Sequence, residues 1–181
     1  MEPPFAWPLG LGGRHATHVH GDGASSWSYI YTMASPALRG PPRDGVYVDQ
    51  PWLLMRWDPA HHIVHSEWRA FANSAELRAA LLRGLDAIKD HKALGYLSDT
   101  RKVKVIVQAD QEWIKQTWLP LAISAGLKRI AVVTASQGLG KMTVEDLVGL
   151  TDDQGLQSRI FASVEAGWRW ASQTLADLAR P

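Results

Sequence analysis

The residues of this chain that could carry acid–base, metal or phosphate chemistry fall into small groups. Asp99, Thr100 and Arg101 close an apolar run, and Asp110 and Glu112 follow shortly after. Gathered in one cleft with displaced pKa values, Asp99, Arg101, Asp110 and Glu112 would suit proton transfer, but no nucleophile and base stand at a spacing that makes them a pair. His61, His62 and His65 lie on and beside a hairpin, where alternation puts His61 and His65 on the side of Ile63 and His62 opposite. Two imidazoles with Asp58 or Glu67 could bind zinc, but spacing does not make the three converge, so surface or edge histidines are the favoured reading. His15, His18 and His20 sit in a glycine-rich stretch and would hold metals only adventitiously. Gly138-Leu139-Gly140-Lys141-Met142 follows a strand, yet a phosphate loop needs glycine where Ala135 stands and a hydroxyl where Met142 stands. A flexible loop is the better reading, with a resting anion as its alternative. With no cysteine there is no disulfide, thiolate or Cys-based zinc site. No cofactor and no metal are expected.

Nineteen Lys and Arg against eighteen Asp and Glu leave a formal charge of +1, which argues against nucleic acid as a partner. No apolar stretch of about 18 residues occurs, so no membrane insertion is expected and the cytoplasm is the default location. At 181 residues the length suits one domain and a tail. Gly10, Gly12, Gly13, Gly21, Gly23, Pro41 and Pro42 mark residues 1–48 as a mostly disordered extension, within which 27–33 could extend briefly and Met33 offers an alternative start. Residues 49–181 then form a single domain.

The elements that must position these groups follow from periodicity. Residues 51–57 and 63–68 read as a β-hairpin turned by Asp58-Pro59-Ala60-His61. Asn73 and Glu76 have capping-box spacing ahead of a helix whose apolar face is Leu77, Leu81, Leu85 and Ile88, ending near His91. A strand over 93–98 leads to Asp110, a good N-cap, and to a helix burying Ile114, Trp118, Leu121 and Ala125, ended by Gly126. Pro120 predicts a kink around 116–120, or two shorter helices. Residues 128–134 read as a buried strand, 143–150 as a short helix and 159–162 as a strand. Ser163 caps a last helix with a stripe of Val164, Trp168, Ala171, Leu175 and Leu178. The fold class is α/β: a mixed sheet of four to five strands opened by a hairpin, with about four helices.

The order of elements resembles bacterial STAS-like or SpoIIAA-like domains. Tyr96-Leu97-Ser98-Asp99-Thr100-Arg101, Asp110-Gln111-Glu112-Trp113-Ile114, Ala125-Gly126-Leu127-Lys128-Arg129-Ile130-Ala131 and Phe161-Ala162-Ser163-Val164-Glu165-Ala166-Gly167-Trp168 are similar to theirs, and the likeness spans about 48–178. It implies a small regulatory α/β module. In the antagonists of this group a hydroxyl ahead of a helix is phosphorylated; Gln108-Ala109-Asp110-Gln111 stands there instead, so the switch is expected to be missing. The related Sec14-like group implies apolar ligands.

Nine tryptophans remain to be placed, seven of them within 49–181. Core packing is their plain role. Trp113, on another face from Ile114, could line an apolar patch with Trp57 or Trp170. Three readings stand: a non-catalytic STAS-like interaction module with a protein partner, a carrier or sensor of a small apolar molecule, and an enzyme of unknown reaction. The expected interaction or ligand patch is Asp99, Thr100, Arg101, Asp110, Trp113, Trp57 and Trp170, in a monomer or homodimer.

Overall fold

The computed structural model describes residue 38 and residues 42–103, 105–135 and 155–178, without the side chains of 174–178. Among these residues stand β1 (Val46–Gln50), β2 (Leu53–Asp58), β3 (Ile63–Trp68), α1 (Ser74–His91), β4 (Gly95–Asp99), α2 (residues 108–124), β5 (Arg129–Val133), β6 (Gln157–Phe161) and α3 (Val164–Leu178). The strands form one sheet in chain order; β1, β2 and β3 pair antiparallel, and β3 to β6 pair parallel. The α/β class and the opening hairpin are as the sequence predicts. The sheet, however, has six strands among the described residues instead of four or five. The added one, β1, lies partly inside the segment that composition assigns to the extension. Asp44 and Gly45, both at positive φ, turn the chain so that Val46 to Gln50 can pair with β2. Leu38 also reaches the core. Three helices are described where about four are expected; the one at 143–150, the loop from Gly138 to Met142 and the histidines at 15, 18 and 20 lie outside the described residues.

Strand alternation gives the sheet two different faces. Val64, Tyr96, Ile130 and Val132 point to one, where they pack on Leu77, Leu81, Leu85 and Ile88 of α1 and on Ile114, Trp118 and Ala122 of α2. Ile63, Leu97, Ala131 and Val133 point to the other, against Trp170 and Ala171 of α3. Helix α1 starts at the expected capping box: the Asn73 side chain accepts from the Glu76 N–H at 3.0 Å, and Glu76 accepts from the Asn73 N–H at 2.9 Å. It ends on Lys92, left-handed at φ 50°.

Around Pro120 α2 neither parts into two helices nor stays a regular α-helix. The helix begins in α form (Gln108–Trp113), widens to a π turn (Ile114–Trp118) and closes in α form (Leu119–Ser124). Proline has no N–H for the carbonyl four residues back, so the preceding turn loosens instead of parting.

Helix α3 sits close to the sheet because small residues meet there. A Cβ on Gly167 would lie 3.2 Å from Leu97 and 3.3 Å from Val133; one on Gly95 would lie 2.9 Å from the Ala171 carbonyl oxygen and 2.7 Å from Ile63. The buried stripe of α3 accordingly includes Gly167 and Trp170 as well as the expected Ala171. Ser163 caps the helix as expected, its hydroxyl accepting from the Ala166 N–H at 3.3 Å. Because the Gly95 clash is partly with backbone, Gly95→Ala should lower stability by about 1–3 kcal/mol, the usual cost of overpacking. Denaturant unfolding measures this; an unchanged midpoint would show that α3 can lift away freely.

Candidate functional site

At the carboxyl ends of β3, β4 and β5, the region where open α/β sheets usually bind ligands, a pocket of about 140 Å³ opens between α1 and α2. Its floor is Tyr96, Ser98, Ile130 and Val132 of the sheet, its walls are Leu77, Leu81, Ile114 and Trp118 of the helices, and the loop after β4 closes it with Val103, Val105, Ile106 and Val107. That loop is held in place at both ends. The Thr100 hydroxyl and N–H both donate to the Val133 carbonyl, at 2.9 and 2.8 Å, and the Gln111 amide donates to the Ile106 carbonyl at 2.7 Å.

The rim is apolar too. Phe71, Val105 and Val107, with 68%, 51% and 50% of their surface exposed, are the large hydrophobic residues left in solvent among the described residues, and all three line this pocket. Scattered exposed hydrophobes are ordinary, whereas these three gather around the mouth of one apolar recess.

One carboxylate lines the pocket among the described residues. Asp110, with 3% of its side chain exposed, accepts from the Ser74 hydroxyl at 2.6 Å and from the Arg78 Nε at 2.7 Å. Arg78 also lies over the Trp113 ring, 5.3 Å from its centroid. Asp110 therefore does not cap α2, contrary to the sequence expectation: the helix begins two residues earlier, with Val107 at the N-cap position and no side-chain cap. The pull of Arg78 and Ser74, two partners on α1, outweighs a local cap that water could replace.

The expected patch is thus divided. Thr100 and Asp110 line the pocket, and Trp113 flanks it through Arg78. Asp99 and Arg101 form a pair at the same end of the sheet, with Arg101 donating at 2.8 and 2.7 Å. Burial works to raise the Asp99 carboxyl, and the hydrogen bonds and charge of Arg101 overcome this and hold it below the usual carboxylate range. Trp57 lies elsewhere, stacked on His91 with ring centroids 4.5 Å apart. Trp170 belongs to the α3 core beside Phe161, under Arg129 and Arg159. Phe71, Ser74, Arg78, Tyr96 and Val105 to Val107 complete the site and were not foreseen. The signal available in the sequence was the set of branched residues Val103, Val105, Ile106 and Val107, interrupted by Lys104 and unusually apolar for a link between a strand and a helix.

The α3 face of the sheet carries a second cluster, on the side of Ile63 and Leu97. His61 stacks on Trp168, 5.3 Å between centroids and 10° between planes, and His65 meets the same indole edge-on at 5.4 Å. Asp58 accepts from His61 at 2.8 Å. His62 turns to the opposite face against Trp57. Alternation predicts this division of the three histidines. Burial drives the His65 imidazole below its ordinary pKa, Arg56 adds to this, and Asp99, Glu67 and Asp58 only partly offset it.

Comparison of the chain with models of known protein families, with curated proteins and with solved structures gives no match. No helix among the described residues is long and apolar enough to cross a membrane.

Two expected outcomes follow from these contacts. Asp110→Ala removes the carboxylate from Arg78, itself 35% exposed, and from Ser74, and so weakens the tie between α1 and α2; a loss of about 2 kcal/mol in denaturant unfolding is expected. A change under about 0.5 kcal/mol would show the contact to be incidental. His65 has a lower pKa folded than unfolded, so below about pH 6.5 the unfolded chain binds the proton more readily and stability falls with falling pH. Thermal unfolding of His65→Gln should be flatter than the parent between about pH 7 and 5; parallel curves would contradict the assignment.

Proposed function

We propose that this chain is a non-catalytic binding module that takes a small apolar molecule into the pocket between α1 and α2. The observation that carries this reading is the pairing of an apolar cavity of about 140 Å³ with an apolar rim, at the carboxyl ends of the parallel strands. Cavities of roughly 150 Å³ lined by aliphatic and aromatic residues stay dry and accept a molecule the size of benzene. The walls here are mostly aliphatic and aromatic, with Ser74, Ser98, Thr100, Asp110 and Ser158 among them, so burial of a ligand's apolar surface would drive binding.

A non-catalytic role is preferred because the polar groups around the cavity are largely engaged with one another. Asp110 is held by Arg78 and Ser74, the Thr100 hydroxyl by Val133, and the Trp118 indole N–H donates to the Leu81 carbonyl at 2.7 Å. Such groups hold a shape; they are not poised to exchange protons. The resemblance to STAS-like domains supports the same class of role, a module whose occupancy is read by a protein partner. On that reading the exposed Phe71, Val105 and Val107 are the surface on which ligand and partner compete or cooperate.

Toluene is a suitable probe. A ligand present at about 100 times its Kd stabilises the folded state by roughly 2.7 kcal/mol, so saturating toluene should raise the Tm. Val132→Phe, which fills the floor of the pocket, should keep the circular dichroism of the parent and lose the toluene response. An unchanged Tm of the parent in toluene would refute the proposal.

A further inference from the structure

The charges around the mouth of the pocket narrow what can dock there, and this narrowing rests on the reading of the pocket as a binding site. Two buried carboxylates stand at this end of the sheet, and each has its arginine on the outside. Asp110 is 3% exposed and its partner Arg78 35%; Asp99 is 6% exposed and its partner Arg101 51%. Each pair is neutral as a whole, yet the half that meets water is the guanidinium. The surface therefore shows positive charge.

Lys102 adds to it. Thr100 and Val103, which both line the pocket, close a turn through the Val103 N–H and the Thr100 carbonyl at 2.9 Å, and Arg101 and Lys102 are its two central residues. Lys102 is exposed and has no ion pair among the described residues. From Thr100 to Val107 the chain carries Arg101, Lys102 and Lys104 and no acid. The acids at neighbouring element ends are already engaged: Glu67 accepts from Arg69 at 3.4 Å, Glu76 from the Asn73 N–H at 2.9 Å and Glu112 from the Gln108 amide at 3.0 Å.

The mouth is thus apolar at its centre, through Phe71, Val105 and Val107, and basic at its edge. A recess of about 140 Å³ has room for a single ring. A bilayer surface would touch the rim and leave the recess empty, whereas one side chain projecting from a peptide segment fills it. Apolar anchors seated in this way carry most of the energy of an interface, and charges around them set specificity.

We infer that the mouth docks a segment of another protein that places one large apolar side chain in the pocket and flanks it with carboxylates, which Arg78, Arg101 and Lys102 meet. N-acetylated pentapeptide amides are suitable probes: Phe at the centre with Glu, Gln or Lys at every flanking position, and Ala at the centre with flanking Glu. Titration of the full chain, followed through the amide resonances of Thr100, Val103 and Val107, should rank the Glu-flanked Phe peptide tightest, the Gln-flanked one about three- to tenfold weaker and the Lys-flanked one weaker still. The Ala-centred peptide should leave these resonances in place. Lys102→Glu, a change at an exposed turn residue, should weaken the Glu-flanked Phe peptide by about three- to tenfold and leave the Gln-flanked one within about twofold.

Equal binding of the Glu- and Lys-flanked peptides would overturn the inference, as would an Ala-centred peptide that binds as tightly as its Phe counterpart. Sedimentation of the chain with vesicles of phosphatidylcholine and phosphatidylserine, without peptide binding, would overturn it in favour of a membrane surface. All these comparisons need only the parent chain. Toluene binding without peptide binding would overturn the inference and leave the small-molecule reading in place; peptide binding without toluene binding would uphold the inference and remove that reading.

Discussion

A carboxylate with almost no contact with water ties the two helices of one sheet face together above the pocket. Asp110 cannot keep its charge there alone, since an ionised carboxyl out of water must be paired or protonated. Ser74 in the first turn of α1 and Arg78 one turn on satisfy it, and Arg78 carries the link on to the face of Trp113. This fixes where α2 starts, and so how the loop from Thr100 to Val107 spans the gap between strand and helix. The cavity follows from that geometry: the helices are bound at their starts by polar contacts and packed by Leu81, Trp118 and Ala122 farther along, with apolar space left between.

Much of the frame was legible in the sequence because it rests on local signals. The Asn73 and Glu76 box, the Leu77 to Ile88 stripe, the Ser163 cap and the hairpin around Asp58 all depend on neighbours within a few residues. β1 was not legible for the opposite reason. Its five residues look like the end of a turn-rich segment, and only pairing with β2 makes them a strand. The site divides along the same line. Thr100 and Asp110 stand near element ends, which sequence reading singles out, whereas Tyr96 and Arg78 matter through residues more than twenty positions away. Asp110 illustrates the limit well: good N-cap chemistry predicted its place to within one turn, and a long-range partner redirected the side chain.

The two faces of the sheet use aromatic residues differently. On the pocket side Trp118 spends its N–H on a helix carbonyl and offers only ring surface to its neighbours, edge-on to Tyr96 at 5.6 Å. On the α3 side Trp168 is held between two imidazoles of the hairpin, and Trp170 lies under two guanidinium groups. Apolar burial dominates around Trp118, and imidazole and guanidinium groups surround Trp168 and Trp170.

The π turn of α2 has a geometric consequence. Asp110, Ile114, Trp118 and Ala122 are all buried, and each is four residues from the next. In a regular α-helix each such step advances about 40° around the axis, so three steps would carry the stripe through roughly 120° and turn one of its ends away from the sheet. A turn that closes over five residues advances less per residue and takes back part of that drift. The widening that Pro120 imposes thus keeps the carboxylate at the mouth and the aliphatic residues of the core in phase along one helix.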